Sequence, residues 1–314
     1  MLLEQFDEVI EISKGMSGDK KYKCIDRDGN RFLLRLSDLK EYDRKLKEYD
    51  FLERLNKSNL PVSKCVEFKK EKDSVYTLLS WIDGEEVEKI LPRLNESEQY
   101  EMGIKAGKIL AKIHEAATLE EKPSNWYDRY FEVIEPRLEA YRTEGIPFEG
   151  ADSILNFIEE NKYLLKQREQ CGHHGDYHMG NLITKDGAVF VIDWHTVDFD
   201  NIGDPWYEFN RVGVEYPAFA SGQIDGYFDG KIPEEFWKLF ALYFSASAIT
   251  SIVWAKYFAP SELNNIIRLN KNVLVWFDYM KQSIPTWYLK DYYAARCDSH
   301  AKIRGECCMG THSS

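Results

Sequence analysis

The chain has 314 residues, 44% of them hydrophobic and 30% charged, an ordinary globular balance that excludes wholesale disorder and collagen-like repeats. Its length exceeds one small core and points to two lobes or domains, and its net charge of −12 argues against a nucleic-acid partner. The charge is uneven: 17 basic and 16 acidic residues fall before position 81, so the rest of the chain carries −13, serving either solubility or the steering of a cationic ligand.

In chain order, the N-terminus MLLEQFDEVIEI has carboxylates where a secretory signal needs positive charge and then an apolar core. Residues 9–13 read as a strand, 14–19 as a turn, and 22–25 and 31–36 as strands joined through Asp28-Gly29, a hairpin signal. Asp38 can cap a helix in which Leu39, Tyr42, Leu46, Tyr49, Leu52 and Leu55 recur at three- and four-residue steps. Asn59-Leu60-Pro61 ends it, and strand-like runs follow at 65–68 and 75–81. After 82–84 the pattern becomes helical. Asn95 with Glu98 makes a capping box for a helix reaching about 117, and amphipathic stretches follow at 127–142 and 151–168. A hairpin spans 181–194 with Asp186-Gly187 at its turn, and helices resume at 205–213, 233–257 and 261–281.

The longest uncharged run, 239–255, is short for a membrane span and is interrupted by Ser245, Ser247, Thr250 and Ser251, so a buried helix is expected and no membrane partner. Six cysteines show no paired framework, and the cytosol is the simplest compartment. The expected class is α+β: a small β-rich lobe with one long helix and a connector over 1–82, then a larger, mainly helical lobe over 83–296, with a cleft between. Residues 297–314 carry Cys297, His300, Cys307, Cys308 and His312, but irregular spacing in a polar segment favours a mobile tail over a metal site.

The densest chemical signal is His173-His174-Gly175-Asp176-Tyr177-His178-Met179-Gly180-Asn181, followed by Val191-Ile192-Asp193-Trp194. A loop there holds a carboxylate and an amide five residues apart, and a hairpin delivers a second carboxylate. Phosphoryl transfer needs such a set, an acid to orient or deprotonate a hydroxyl and oxygen ligands for magnesium on nucleotide phosphates. A zinc site of His173, His174, His178 and His195 is the rival; its spacings fit no familiar ligand pattern and leave Asn181 without a role.

The run HGDYHMGN at 174–181, IDW at 192–194 and GDP at 203–205 resembles the aminoglycoside phosphotransferase family, which has a bilobal protein-kinase-like fold with nucleotide between the lobes. The resemblance covers about residues 9–280 and implies roles. Asp176 would be the catalytic base; Asn181 and Asp193 would ligate Mg2+; His174 would brace the loop; Asp204 would be a supporting aspartate and a helix N-cap. Gly15, Ser17 and Gly18 sit where a phosphate-covering turn belongs, although a plain hairpin turn reads the same way. Arg35 stands where protein kinases have lysine on strand three, with Glu48 as its partner on the long helix or else a solvated carboxylate. Ser80 and Ile82 lie in the connector whose backbone would meet adenine, and Trp81 there could be core instead.

For a cationic acceptor, Asp198, Asp200 and Glu208 are the nearest candidate carboxylates, with Glu215, Asp225, Asp229, Glu234 and Glu235 further along. Surface solvation is the competing role for each. Trp206, Tyr207 and Trp237 could stack on a sugar or fill the core. The implied activity is a Mg2+-dependent small-molecule kinase using ATP or GTP on a hydroxyl of an aminoglycoside-type antibiotic, which it would inactivate. The alternatives are a metabolic kinase for choline, a sugar, homoserine or a macrolide, and a nucleotide-binding regulator without catalysis.

Overall fold

A computed structural model describes residues 2–13, 18–119, 123–194, 199–289 and 292–293. Strands β1 (Glu8–Ile12), β2 (Lys20–Ile25), β3 (Arg31–Asp38), β4 (Cys65–Glu71) and β5 (Ser74–Ser80) form one antiparallel sheet in the order β1-β2-β3-β5-β4. The β2–β3 turn is closed by the Asp26 carboxylate, which accepts from the backbone N–H of Asp28 and Asn30. Alternation along β3 and β5 sorts their residues to two faces. Leu34 and Leu78 join Cys24 and Tyr76 in a small cluster closed by Leu3 and Phe6. Leu33 and Leu79 face the other way, towards helix α1 (Tyr42–Lys57) and the main core.

The cap on α1 differs from expectation. Asp38 is the last residue of β3 and accepts from Lys40 N–H, so it caps a 3-10 turn, Leu39–Glu41, from which α1 then starts. The chain needs that turn to swing from the sheet to the helix beneath it. Phe51, Leu52 and Leu55 are the buried apolar positions of α1. They belong to one continuous core with the helices that follow.

Beyond β5 come β6 (Glu85–Glu86), α2 (Val87–Ile90), α3 (Glu96–Ala116), α4 (Trp126–Glu144) and α5 (Ala151–Asn161). The Asn95/Glu98 capping box starts α3 with both reciprocal bonds formed. The expected helix 151–168 is split, since α5 tightens into a 3-10 turn over Lys162–Gln167. Strand β7 (Cys171–Gly172) leads into the loop; β8 (Leu182–Lys185) and β9 (Ala188–Val191) form the hairpin, with Asp186 and Gly187 both at positive φ; β10 (Ile202–Gly203) returns to pair β7. Residues Pro205–Arg211 make a 3-10 segment where a helix was expected.

Helices α6 (Pro217–Tyr227), α7 (Glu234–Phe258) and α8 (Leu263–Trp276) complete the described chain. Helix α7, the one described helix long and apolar enough to cross a membrane, lies mostly buried in the core. Helix α6 has no counterpart among the sequence-predicted elements. Residues 218–226 are buried all round, so no polar stripe marks its period. It packs on α3 at unusually close range through paired glycines. A Cβ on Gly103 would stand 2.1 Å from the Phe219 carbonyl oxygen, and one on Gly107 2.0 Å from that of Gln223. From the other side, a Cβ on Gly222 would stand 2.2 Å from the Tyr100 carbonyl oxygen, and one on Gly226 2.3 Å from that of Ile104. The neighbouring atoms are backbone and cannot rotate away. Gly107→Ala should therefore lower stability by at least about 2 kcal/mol, read as an earlier urea midpoint; a midpoint unchanged from the parent would contradict this close approach.

Candidate active site

The loop between β7 and β8 is fastened from below by Glu208. Its side chain is fully buried, and it accepts from the backbone N–H of His174 at 2.8 Å and of Gly175 at 2.6 Å, with His114 Nε2 at 3.3 Å. Burial opposes its ionisation, but the His114 hydrogen bond and the surrounding imidazoles outweigh this and bring its pKa down to about 2. Glu208 was expected to line the acceptor pocket; its oxygens are instead consumed beneath the loop. Asp204 is also fully buried. It caps Trp206 N–H, as its position before Pro205 suggested, takes two bonds from Arg168 at 2.7 and 3.1 Å, and accepts from Tyr243 Oη at 2.6 Å. Support of the loop backbone therefore falls to Glu208, while Asp204 ties the next segment to α7.

Above this anchor, His174 sits fully buried. Its Nε2–H donates to the Ile192 carbonyl at 2.9 Å, and its Nδ1 accepts from Asp176 N–H at 3.2 Å. Burial lowers its pKa, so the ring is neutral and bridges the loop to the end of the hairpin. Asn181 Nδ2 donates to the Asp176 backbone carbonyl at 3.0 Å and to its carboxylate at 3.3 Å, which leaves the amide oxygen available to a metal. Ile192 N–H donates to the Asn181 carbonyl at 3.0 Å, so Asp193 follows directly, in a left-handed conformation at φ 59°. Asp176, Asn181 and Asp193 are thus joined through one loop and one hairpin. Burial pushes the Asp176 pKa up, but the nearby His178 and Arg211 outweigh it and hold the group at about 2.

Among the described residues no three His, Cys, Asp or Glu side chains form a ready metal cluster. His174 has both nitrogens engaged, and His178 Nδ1 accepts from Gly180 N–H, so neither fits the zinc alternative; His195 lies outside the described residues. One amide oxygen and one carboxylate suit magnesium, which takes its remaining ligands from phosphates and water. Lys21 Nζ at 3.4 Å and Arg35 Nη1 at 3.8 Å stand beside the Asp193 Oδ1.

In the sheet lobe, the expected Arg35–Glu48 pair is not formed. Arg35 donates to Asp19 through Nε at 3.1 Å and Nη2 at 2.7 Å, while Glu48 is held by Arg44 at 2.8 Å and Lys45 at 3.1 Å. Lys45, almost fully buried, also reaches Asp19 at 2.7 Å, and Ser37 Oγ adds a bond at 2.6 Å. Burial pushes the Asp19 pKa up, but Arg35, Lys45 and Ser37 outweigh it and hold the carboxyl well below the usual carboxylate range. Asp19, Lys45 and Lys21 were absent from the sequence-based candidates. Their one local signal is the position of Asp19 directly after Gly18, where it read as turn. Gly18 itself is exposed with open space around it; Gly15 and Ser17 lie outside the described residues. Ser80 ends β5, bonded to Lys64, and Ile82 is half-buried; the half-buried Trp81 lies under the Lys23 ammonium.

The remaining acceptor candidates are dispersed. Asp198 and the tail 297–314 lie outside the described residues, and Asp200 falls in the turn Phe199–Asn201. Asp225 is buried and accepts from Tyr100 and Tyr288. Tyr207 belongs to an aromatic cluster with Trp126, Tyr130 and Tyr243, Trp237 is core, and Trp206 packs against Phe236 with the Arg168 guanidinium 3.8 Å above its ring. A feature the sequence did not disclose is Arg211, whose Nη1 stands 3.4 Å from Asp176 Oδ1.

A profile of the phosphotransferase enzyme family matches residues 8–238, and the chain belongs to that family. It is a phosphotransferase on a bilobal, protein-kinase-like fold. Similar solved structures include the amicoumacin kinase hAmiN in complex with AMP-PNP, Ca2+ and Ami, 15% identical with a TM-score of 0.59 and 90% of each chain covered. Aminoglycoside phosphotransferase APH(2'')-Ib in its ADP-bound form is 16% identical, with a TM-score of 0.59 and coverage of 91% of this chain and 95% of that one. A choline/ethanolamine kinase family protein from Mesorhizobium loti is 11% identical, with a TM-score of 0.63 and coverage of 89% and 92%. No curated protein matches the sequence.

The Glu208 anchor has a pH signature. A carboxyl whose pKa is depressed on folding contributes stability in full above its unfolded value, about 4.3, and loses it as pH falls towards about 2. Glu208→Gln should lower the melting temperature at neutral pH and flatten its decline below roughly pH 4.5. Parallel acid limbs in parent and variant would contradict the buried, ionised Glu208.

Proposed function

We propose that the protein is a magnesium-dependent small-molecule kinase that moves the terminal phosphoryl group of ATP or GTP to a hydroxyl of an amine-bearing, aminoglycoside-type acceptor. The observation that carries the phosphoryl-transfer chemistry is the joining of Asp176, Asn181 and Asp193 by the Asn181–Asp176 and Ile192–Asn181 hydrogen bonds. Asn181 and Asp193 would hold Mg2+, which neutralises charge on the phosphates and orients them. With its pKa at about 2, Asp176 is a weak base, suited to orienting the acceptor hydroxyl and taking its proton late in a loose transfer. His174, kept neutral, fixes the distance between loop and hairpin, and Glu208 keeps the loop from sinking or lifting. Dependence on a nucleoside triphosphate fits the cytosol as the compartment, and chemical inactivation of an antibiotic fits the acceptor.

Support for a cationic acceptor comes from the −13 carried after residue 80 and from the exposed Glu88, whose Oε2 would lie 3.1 Å from a Cβ on Gly180 in the catalytic loop. One observation favours a second reading, a metabolic kinase for a neutral hydroxyl compound such as a sugar. Arg211, 57% exposed, borders Asp176, while Glu208 and Asp225 are withdrawn into the core.

An acceptor panel with Mg-ATP, read by product mass spectrometry across a salt series, separates the readings. Attraction by several exposed carboxylates is screened over about 8 Å at physiological ionic strength, so the KM of an aminoglycoside should rise steeply with salt. A better neutral sugar, or a flat aminoglycoside KM, would transfer the proposal to the metabolic reading; no turnover of any acceptor would favour a non-catalytic nucleotide-binding protein. Asp176→Asn should slow transfer by roughly 100- to 10,000-fold with little change in nucleotide affinity, and turnover within a few-fold of the parent would remove Asp176 from the chemistry.

A further inference from the structure

We propose that Lys21 on β2, and not Arg35 on β3, is the cation that grips the outer phosphates of the bound nucleotide, while Arg35 is a fixed positioning residue locked by Asp19. The proposal rests on the phosphotransferase reading of the site and adds a residue to it.

Lys21 and Arg35 are direct cross-strand partners, so their side chains leave the sheet on the same face. Both point to Asp193, yet they are held very differently. Arg35 commits Nε and Nη2 to Asp19, and its Nη1 donates to the Trp194 carbonyl at 3.3 Å. The Asp19 side chain is only 5% exposed, so turning the guanidinium onto a phosphate would strip a buried carboxylate of two charged bonds. Lys45 cannot take the role either, since it is 2% exposed and shared between Asp19 and Glu48.

Lys21 has one long contact, 3.4 Å to Asp193 Oδ1, at the end of a flexible four-carbon stem. Its ammonium stands beside the carboxylate assigned to the metal. A divalent cation arriving at Asp193 repels that ammonium, and the phosphates bound to the same cation are its nearest alternative partner. Lys21 would thus occupy the metal side of Asp193 while the site is empty and move to the phosphates when it fills. The division of labour also accounts for arginine on strand three. A rigid fork suits a permanent carboxylate partner, and a mobile point charge suits a ligand that comes and goes.

The test is calorimetric titration of Mg-AMP-PNP and of adenosine into the full chain, with melting temperatures measured alongside. Lys21→Gln should weaken Mg-AMP-PNP at least about tenfold, leave adenosine affinity within about twofold, and leave the melting temperature nearly unchanged. Lys21→Arg should recover part of the loss, because it restores the charge. Arg35→Gln should instead lower the melting temperature by roughly several degrees, since it strips the buried Asp19 carboxylate of two charged hydrogen bonds. Unchanged Mg-AMP-PNP affinity in Lys21→Gln overturns the proposal. So does an equal loss for adenosine, or an Arg35→Gln variant that melts like the parent yet loses the phosphate-dependent affinity. If the parent binds neither ligand, the reading of the site as a nucleotide site fails first and the role of Lys21 with it.

Discussion

A buried carboxylate under the loop 174–181 is the constraint on which the rest of the site depends. Ionised groups are costly to bury unless their lone pairs are used, and Glu208 uses them on two successive backbone N–H groups and one imidazole. Because the donors are the backbone of His174 and Gly175, the interaction fixes the path of the chain and not merely a side chain. Asp176 then leaves the loop in a set direction. His174 carries the constraint upward to Ile192, and the residue after Ile192 is Asp193. One carboxylate therefore sets the relative placement of the three groups assigned to phosphoryl transfer.

The same region joins the sheet lobe to the helical lobe. Trp194, next to Asp193, packs edge-on against His174 with centroids 4.6 Å apart and against Phe51 of α1 at 5.7 Å. A shift of α1 would thus be felt at Asp193, the carboxylate proposed to hold the metal, through close-packed aromatic contact. Arg35 adds a polar link by donating to the Trp194 carbonyl. In the helical lobe, Arg168 and Tyr243 fasten Asp204, and the glycine-lined approach of α3 and α6 places Tyr100 of α3 against Asp225 of α6. The site is a shallow chemical layer on a framework of buried charge pairs and interlocked aromatics.

What could be read from sequence was what is local. The α+β class, the long amphipathic helix near residue 50, the Asn95/Glu98 cap and the Asp186-Gly187 hairpin each depend on residues within one or two turns of each other, and the structure has them. Asp176, Asn181 and Asp193 stood out because a loop and a hairpin concentrate them within 18 positions. Long-range pairing was invisible. Nothing near Asp19 announces Arg35 or Lys45 as its partners, and PWYEFN gives no sign that its glutamate turns inward while its tryptophan packs on Arg168. Helix α6 was missed for a related reason. Helix recognition relies on a polar face, and a helix buried on every side has none.

If the loop 174–181 and Asp193 together form the metal and phosphoryl-transfer centre, both must meet a bound metal–nucleotide. A crystal structure of the chain with Mg2+ and AMP-PNP tests it most directly. The expected result is a metal ion held by the Asn181 amide oxygen and an Asp193 carboxylate oxygen at about 2.0–2.1 Å, with Asp176 facing the terminal phosphate. A nucleotide seated elsewhere, or a metal that reaches the phosphates without either residue, would contradict it.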